Sequence, residues 1–396
     1  MTQGYAVRGG HEAHVLHYAT ELRRHGFDTR VVVLNQPPRE EHLFMRLLRE
    51  RGISLDSVRR THGIQILGVL ALVAPFWGAR RLLRGESPRW AVLRNYLADR
   101  LAVRALRQKV AAEQPDVIHI LGRLADYAWP ELPVERCVLH HGTEGRRDDT
   151  WDAGELKAFR DFAQRAARNF APGRGVAENV RREFQIERPI ETIYTICPDE
   201  PGVARARPFR AVPQFGMLCR MTPEKGIGVT LEALRRYRDR RGDVEFCFAG
   251  RGALEGKIEA FIEQQRLTHV RLKRDFESPA EVLRDWDVFV HPSLSDAMPL
   301  AVAEALMCGL PCIVTRVGGI PDLVRDGQEG FVVEPGDADA VVAAMEHFAA
   351  MSADERQAFG DRARARYEAV CRPEQVGGVV AAHYREVLGE VGLNAA

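Results

Sequence analysis

Short apolar runs alternate along the chain with segments in which apolar residues recur every three or four positions. The first pattern predicts buried β-strands, and the second predicts amphipathic helices such as residues 12–25, where Val15 and Leu22 share one face. The strands predicted in the first half are residues 29–34, 117–121, 137–141 and 192–196. Such alternation indicates parallel sheets that are covered by helices on both faces.

A second series of the same kind begins after about residue 213. Its predicted strands are residues 215–219, 244–249, 270–272, 288–291, 312–315 and 331–333, with helices near 226–241, 253–265, 299–308 and 337–350. A proline-rich stretch without apolar periodicity, residues 198–213, separates the two series. We therefore predict an α/β protein with two doubly wound domains, residues 1–205 and 206–372. A last helix, within residues 373–396, is expected to return to the first domain.

The composition argues against nucleic acid as a partner and makes the lysines and cysteines informative. The 396 residues carry a formal net charge of +1, which lacks the basic excess of a nucleic-acid-binding protein. Lysine is scarce, with five lysines among the 56 basic residues, so a lysine within a motif is notable. The seven cysteines form no C-x-x-C pair, which predicts a reduced, cytoplasmic chain without disulfides or a zinc site.

The start of the chain has no apolar stretch of the signal-peptide type, and no run of 18 apolar residues predicts a membrane span. Residues 64–78 (IQILGVLALVAPFWG) are nearly all apolar, and arginines flank them as far as Arg84. This segment is either a buried helix or interdomain face, or a peripheral contact of residues 64–84 with the inner face of the cytoplasmic membrane.

Two cations follow a predicted strand in the sequence GMLCRMTPEKG. Arg220 opens the loop after the strand, and Lys225 stands just before the next helix. Ligands of parallel α/β sheets bind at the carboxyl ends of the strands, and two fixed cations there suit a diphosphate. The alternative is a solvated loop with incidental charges.

The stretch from residue 288 to 324 combines several signals of a binding site. A turn containing Asp296 precedes a helix that we expect to open near Pro299, and the free N–H groups at residues 298–301 then form an anion site. Glu304 lies further along this helix, where its carboxylate can accept hydrogen bonds from hydroxyl groups such as those of a ribose. The alternative is capping and turn chemistry alone.

Three weaker signals lie elsewhere. The pair Gly9-Gly10 precedes a predicted helix and is either a phosphate site or a flexible turn. His141 ends a predicted strand, where it either hydrogen-bonds a sugar or is a structural histidine. Asp337 begins an Asp-x-Asp sequence of the metal-binding type, but we expect it to be an N-cap instead and predict no metal site.

These motifs together resemble the family-4 retaining glycosyltransferases, which have the GT-B fold of two Rossmann-like domains facing across a cleft. The resemblance is strongest over residues 213–340, where GMLCRMTPEKGI, FCFAGRGAL, DVFVHPS, PLAVAEALMCGLPCIVT and VGGIPDLV follow in the family's order. The first half matches more weakly, through GGHEAHVLHYATELRRHGF, PDVIHI, HHGT and ARNFAPGRGVAENV.

The resemblance implies a retaining, metal-independent enzyme. It would move a sugar from a nucleotide-diphosphate sugar (UDP or GDP) to the hydroxyl of an acceptor glycan or lipid-linked sugar, in cell-surface polysaccharide or glycolipid biosynthesis. Arg220 and Lys225 would bind the diphosphate, Glu304 would hold the ribose, and His141 would lie against the donor sugar. The backbone and glycines expected to contact the donor are Met298, Pro299, Leu300, Gly9, Gly10, Gly250, Gly318 and Gly319.

The sequence departs from the family pattern at two places. The first of the family's two spaced glutamates is replaced by Asp296, which keeps the charge on a shorter side chain, so contact with the donor sugar is expected to differ. Residues 1–7 (MTQGYAV) make a poor strand, so the first strand of the N-terminal sheet is expected to be missing. Two alternatives follow, a non-catalytic protein that binds nucleotide sugars and a sugar-nucleotide epimerase of GT-B type.

Overall fold

The computed structural model describes residues 10–33, 43–57, 104, 106–121, 132–141, 153–199 and 207–394. Residues 1–9, with Gly9 and the expected position of the first strand, and the apolar segment 64–84 lie outside the described residues. The elements described before residue 200 are α1 (Gly10–Arg24), β1 (Arg30–Val33), α2 (Leu43–Glu50), β2 (Ser54–Ser57), β3 (Ile118–Leu121), β4 (Cys137–His140), α3 (Ala153–Arg165), β5 (Arg168–Ala171), α4 (Arg174–Phe184) and β6 (Glu191–Thr192).

The described strands of this half are all parallel. They form a four-stranded sheet of order β3-β4-β5-β6 and a two-stranded pair of β1 with β2. The predicted strand 192–196 is wrong beyond its first residue, because β6 ends at Thr192. The Ile193 N–H still donates to the carbonyl of Ala171 on β5, but the Cys197 N–H donates to the carbonyl of Cys371. The strands β2 and β5 were not predicted.

The second half contains a longer alternation of strands and helices. Its elements are β7 (Phe215–Leu218), α5 (Ile227–Arg241), β8 (Phe246–Ala249), α6 (Glu255–Gln264), β9 (Val270–Lys273), α7 (Pro279–Leu283), β10 (Val288–His291), α8 (Leu300–Met307), β11 (Cys312–Thr315), α9 (Ile320–Leu323), β12 (Gly330–Val333), α10 (Ala338–Ala350), α11 (Ala353–Val370) and α12 (Pro373–Asn394). Asp337 is the N-cap of α10, as predicted, since its carboxylate accepts from the Ala340 N–H at 2.9 Å.

The strands of this half form one parallel sheet in the order β9-β8-β7-β10-β11-β12. This is the strand order of a Rossmann fold. The chain adds β8 and β9 on one side of β7 and then β10, β11 and β12 on the other side, so the strand order reverses between β7 and β10. All four residues in each of the strands β7, β8, β10 and β11 are buried, because apolar cores cover both faces of the sheet. Strands that are buried on both faces have unbroken apolar sequences, which is why these four strands could be predicted correctly.

The last helix, α12, packs against the N-terminal half. Val376, Val380 and Tyr384 share one apolar cluster with Tyr18 of α1 and Phe170 of β5. The Tyr384 hydroxyl is 2.5 Å from Nδ1 of His119 on β3. The chain therefore passes through the C-terminal half and ends on the N-terminal one.

The start of α4 meets the loop after β11 at very close range. A Cβ atom on Gly175 would lie 2.4 Å from the carbonyl oxygen of Gly318, and one on Gly173 would lie 2.3 Å from the Cα atom of Gly319. The carboxylate of Asp322 accepts hydrogen bonds from the backbone N–H of Arg174 at 2.5 Å and from its guanidinium at 2.6 Å. A residue of the C-terminal half thus caps a helix of the N-terminal half.

A single methyl group on the α4 side of this contact should separate the two halves. We expect Gly175→Ala to increase the radius of gyration in small-angle X-ray scattering, because its Cβ cannot fit beside Gly318. Gly228→Ala is the matched control, since Gly228 is also the second residue of a helix and a Cβ there meets nothing within 4 Å. Equal radii for the two variants would show that this contact does not hold the halves together.

Candidate active site

The carboxyl ends of β7 and β10 lie side by side where the strand order reverses. Ligands of open α/β sheets bind at such a point. Arg220 and Lys225 lie in the loop that leaves β7, and Asp296 lies in the loop that leaves β10. The topology therefore brings together two groups of residues that are about 70 positions apart in the sequence.

Backbone hydrogen bonds fasten these two loops to each other. The carbonyl of Glu224 accepts from the N–H of Leu294 at 2.8 Å and from the hydroxyl of Ser293 at 2.9 Å. The carbonyl of the buried Ser293 accepts in turn from the hydroxyl of Thr315, at the end of β11. The loops are thus held in place by their own polar groups before any ligand binds.

Gly318 allows the loop after β11 to press against Asp296. Its φ angle of +51° is one that residues with side chains rarely adopt. A Cβ atom there would lie 1.9 Å from the carbonyl oxygen of Asp296. The neighbouring Gly319 donates its N–H to the carbonyl of Ala297 at 2.6 Å and lies against the Met298 side chain. Both glycines therefore set the position of the loop that carries Asp296.

Three side chains meet at the centre of the site. Nζ of Lys225 lies 2.6 Å from Oδ2 of Asp296, and Nε2 of His291 lies 3.1 Å from the same oxygen. The exposed fraction of these side chains is 16% for Lys225, 11% for Asp296 and 1% for His291. His291 was not predicted as a site residue, although a polar residue at the end of a strand is a signal that the sequence offers.

The two partners of Asp296 keep its carboxyl group ionised. Burial alone raises the pKa of this group, but the hydrogen bond and charge of His291 and the charge of Lys225 outweigh burial, and the net pKa is lower than usual. Burial raises the pKa of the nearby Cys219 thiol to about 12, so this cysteine is not a reactive thiolate. Asp296 is therefore an ionised acid of the site, and Cys219 is not an activated sulfur nucleophile.

Helix α8 begins four residues after Asp296. Pro299 precedes its first residue, Leu300, and has no polar side chain that could cap the N–H groups of the first turn. These N–H groups and the helix dipole favour an anion at this end of the helix. Glu304 lies on the same helix and is buried. Pro299, Leu300 and Glu304 thus lie on the same loop and helix as Asp296, as the sequence indicates.

The remaining predicted residues lie around this cluster or in the other half. Arg220 is exposed at the end of β7. Gly250 follows β8, and its N–H already donates to the carbonyl of Lys273 at 3.0 Å, so a ligand could not use that N–H group. Gly10 is the first residue of α1, and His14 of this helix packs edge-on against His140 at the end of β4.

His141 follows β4 and is held by a buried asparagine. Its Nε2 lies 3.2 Å from Oδ1 of Asn169, while the amide nitrogen of Asn169 donates to the carbonyl of Ala163. The Asn169 orientation makes His141 the donor through Nε2 and leaves Nδ1 as an acceptor. Burial lowers the pKa of His141 to about 4, so the ring is neutral at neutral pH.

No cluster of three or more potential metal ligands occurs within the described residues. Within the same ranges, no helix combines the length and the apolar character that crossing a membrane requires.

Two family models match the chain and together account for most of it. The model described as "Glycosyltransferase Family 4" matches residues 8–200, and the one described as "Glycosyl transferases group 1" matches residues 212–350. The chain therefore belongs to the family-4 glycosyltransferases, and its two parallel α/β sheets are those of the GT-B fold.

Relatives and solved structures agree with this assignment. The chain is 32% identical to the putative colanic acid biosynthesis glycosyltransferase WcaL of Salmonella typhimurium over 156 residues, which are 37% of this chain and 38% of that one. It is 32% identical to the sulfoquinovosyl transferase SQD2 of Arabidopsis thaliana over 329 residues, 76% of this chain and 61% of that one. The matched stretches span less than two thirds of either relative.

Among solved structures, the fold is similar to that of Anabaena HepE in complex with UDP-glucose. The TM-score is 0.67 at 16% identity, and the match covers 97% of this chain and 98% of that one. A similarity at this identity establishes the fold.

The depressed pKa of His141 predicts an acid-dependent loss of stability. The unfolded chain binds a proton at this histidine near pH 6.5, whereas the folded chain binds it near pH 4, so folding is favoured less as the pH falls from 6.5 towards 4. We expect His141→Gln to reduce the difference in unfolding free energy between pH 7 and pH 5 by about 1–2 kcal/mol. Urea unfolding at both pH values measures this difference.

The exposed His347 on α10 supplies the control, as His347→Gln also removes one histidine. An unchanged pH dependence in His141→Gln would mean that His141 does not have the lowered pKa described here.

Proposed function

We propose that the chain is a retaining glycosyltransferase that moves a sugar from a UDP- or GDP-sugar to a hydroxyl group of an acceptor glycan or lipid-linked sugar. The observation that carries the proposal is the pairing of Lys225 with Asp296, which lies in the loop leading into α8, at the point where the strand order reverses. A lysine ammonium and the free N–H groups of a helix are both donors for a diphosphate.

In this proposal the reaction is limited by negative charge that accumulates on the departing diphosphate. Arg220, Lys225 and the start of α8 stabilise this charge without a metal ion, because the loops that carry them are fastened to each other before the donor binds. The exposed guanidinium of Arg220 is available to reach the phosphates. Any metal requirement would argue against this arrangement.

The other residues position the donor. Glu304 accepts hydrogen bonds from the ribose hydroxyls, and Asp296 accepts one from the donor sugar. His141, on the opposite half, presents its Nδ1 acceptor to the same sugar. Gly10, on that half, and Gly318 let the backbone approach the ligand closely.

Retention follows in this scheme from attack on the same face as the leaving diphosphate. The bond from the anomeric carbon to the diphosphate breaks, the acceptor oxygen bonds to that carbon, and the acceptor proton passes to the released diphosphate. The ionised Asp296 is bound to Lys225 and His291, so it is assigned to binding rather than to covalent attack.

The relatives support a role in cell-surface polysaccharide or glycolipid synthesis. WcaL is named for colanic acid biosynthesis, SQD2 is a sulfoquinovosyl transferase, and HepE binds UDP-glucose. We further propose that the chain acts in the cytoplasm, at the inner face of the membrane, where lipid-linked acceptors would be available.

Removing the lysine tests the central assignment. We expect Lys225→Ala to lower kcat/KM about ten- to a hundredfold, because a hydrogen bond to a charged group contributes roughly 1.5–3 kcal/mol. Transfer is measured with UDP- and GDP-sugars in the presence of EDTA, and NMR identifies the anomeric configuration of the product. Lys257→Ala, at an exposed position on α6, controls for the loss of a lysine and should retain full activity.

Two other outcomes would each identify a different class of protein, and a third would contradict the proposed stabilisation of charge. Donor binding without transfer or hydrolysis would favour the non-catalytic binding protein, and interconversion of the donor sugar without an acceptor would favour the epimerase. Activity that EDTA abolishes and Mg²⁺ restores would contradict stabilisation by the protein's own cations.

The segment 64–84 lies outside the described residues and supports a separate prediction. We expect the chain to float with vesicles rich in phosphatidylglycerol at low salt and to be released at high salt, because arginines flank an apolar stretch there. Replacing Arg80, Arg81 and Arg84 by glutamine should weaken flotation. Absence of binding to these vesicles at low salt would remove the membrane role of this segment.

A further inference from the structure

The carboxylate of Asp296 competes with a diphosphate for Lys225. In the structure the lysine lies 2.6 Å from Oδ2 of Asp296, in a site where both side chains are mostly shielded from water. A second anion that binds this lysine is repelled by the adjacent carboxylate, because charges in such a site are poorly screened. The carboxylate of Asp296 therefore weakens diphosphate binding, unless a group other than Lys225 holds this carboxylate and the ligand makes a favourable contact with it.

His291 is the group that can hold Asp296 while Lys225 binds a diphosphate. It ends β10, so its backbone belongs to the sheet, and its ring is stacked on Phe289 with a centroid distance of 5.9 Å and an interplanar angle of 11°. Its Nδ1 is buried and has no hydrogen-bond partner within the described part of the chain. Because Nδ1 has no partner there, Nε2 is the ring nitrogen through which His291 donates a hydrogen bond to Asp296.

The second oxygen of Asp296 remains available. Both Lys225 and His291 bind Oδ2, and Oδ1 makes no hydrogen bond with any described residue. The backbone of Asp296 is fixed by the close approach of Gly318. With its backbone and one oxygen fixed, the carboxylate can present Oδ1 in one orientation to a ligand hydroxyl.

We propose that His291 is a positioning residue that makes the site prefer a nucleotide sugar over the free nucleoside diphosphate. When the donor binds, Lys225 turns towards the diphosphate, His291 retains Asp296, and Oδ1 accepts a hydroxyl of the sugar. The free diphosphate has no such hydroxyl, so it meets the repulsion of Asp296 without this compensation. This inference rests on the proposed function, because it assumes that the diphosphate binds at Lys225.

The test compares two ligands that differ by the sugar. Calorimetry gives Kd for UDP and UDP-glucose, and for GDP and GDP-mannose as a second pair, with the full chain and its variants. In His291→Phe, which keeps an aromatic ring beside Phe289, we expect affinity for the nucleotide sugar to fall about tenfold. Affinity for the diphosphate should change less than twofold.

Two further variants separate positioning from general damage. His291→Gln places an amide N–H near the position of Nε2 and should restore most of the preference for the nucleotide sugar. Asp296→Asn removes the repulsion and the ionised acceptor together, so it should bind the diphosphate more tightly and the nucleotide sugar more weakly. Thermal unfolding of each variant confirms that a folded protein is measured.

The outcomes distinguish this inference from the proposed function. If the wild type binds a diphosphate and His291→Phe leaves the ratio of the two Kd values unchanged, the positioning role is wrong while the proposed function stands. If His291→Phe weakens both ligands equally, or His291→Gln restores nothing, His291 is structural and the inference is wrong. If the wild type binds neither pair of ligands, both proposals fail.

Discussion

The parallel arrangement of the C-terminal sheet is the constraint on which the site depends. Because all its strands run in one direction, every loop that follows a strand lies along the same edge. Between β7 and β10 the helical connections depart to opposite sides, so a gap remains at that edge. The glycine and hydroxyl contacts between the loops keep the gap in a fixed shape. Charges placed there stay close to each other and are ready to meet a ligand, which is the condition for electrostatic preorganisation.

Burial decided which strands could be predicted from the sequence. The strands β7, β8, β10 and β11 are covered on both faces, and their apolar runs predicted them correctly. The strand β5 was not predicted because Asn169 interrupts its apolar pattern. Asn169 can nevertheless be buried, because its side chain hydrogen-bonds to His141 and to the carbonyl of Ala163. At residues 193–196 the opposite error occurred, since a strand was predicted where β6 has already ended. Ile193 and Ile196 are apolar because they are buried in the cluster that contains helix α12.

In the site, too, features that depend on the local sequence could be predicted, whereas features that depend on tertiary contacts could not. Strand-end position and the scarcity of lysine were enough to single out Lys225, and the start of α8 was recognisable from Pro299. The pairing of Lys225 with Asp296 could not be derived from periodicity, because it depends on which strands are neighbours. His291 was missed for a related reason. As the last residue of a buried strand it resembles part of the core, and only the position of Asp296 gives it a polar partner.

The packing of α12 on the N-terminal half has a consequence for how the protein is made. During synthesis the first half of the chain emerges from the ribosome long before Val376, Val380 and Tyr384, which complete its apolar cluster. Until those residues arrive, the surface around Tyr18 and Phe170 is exposed and the N-terminal half is incomplete. The emergence of α12 from the ribosome is therefore the step that completes this cluster, and a chain that stalls before it exposes apolar surface to which chaperones bind.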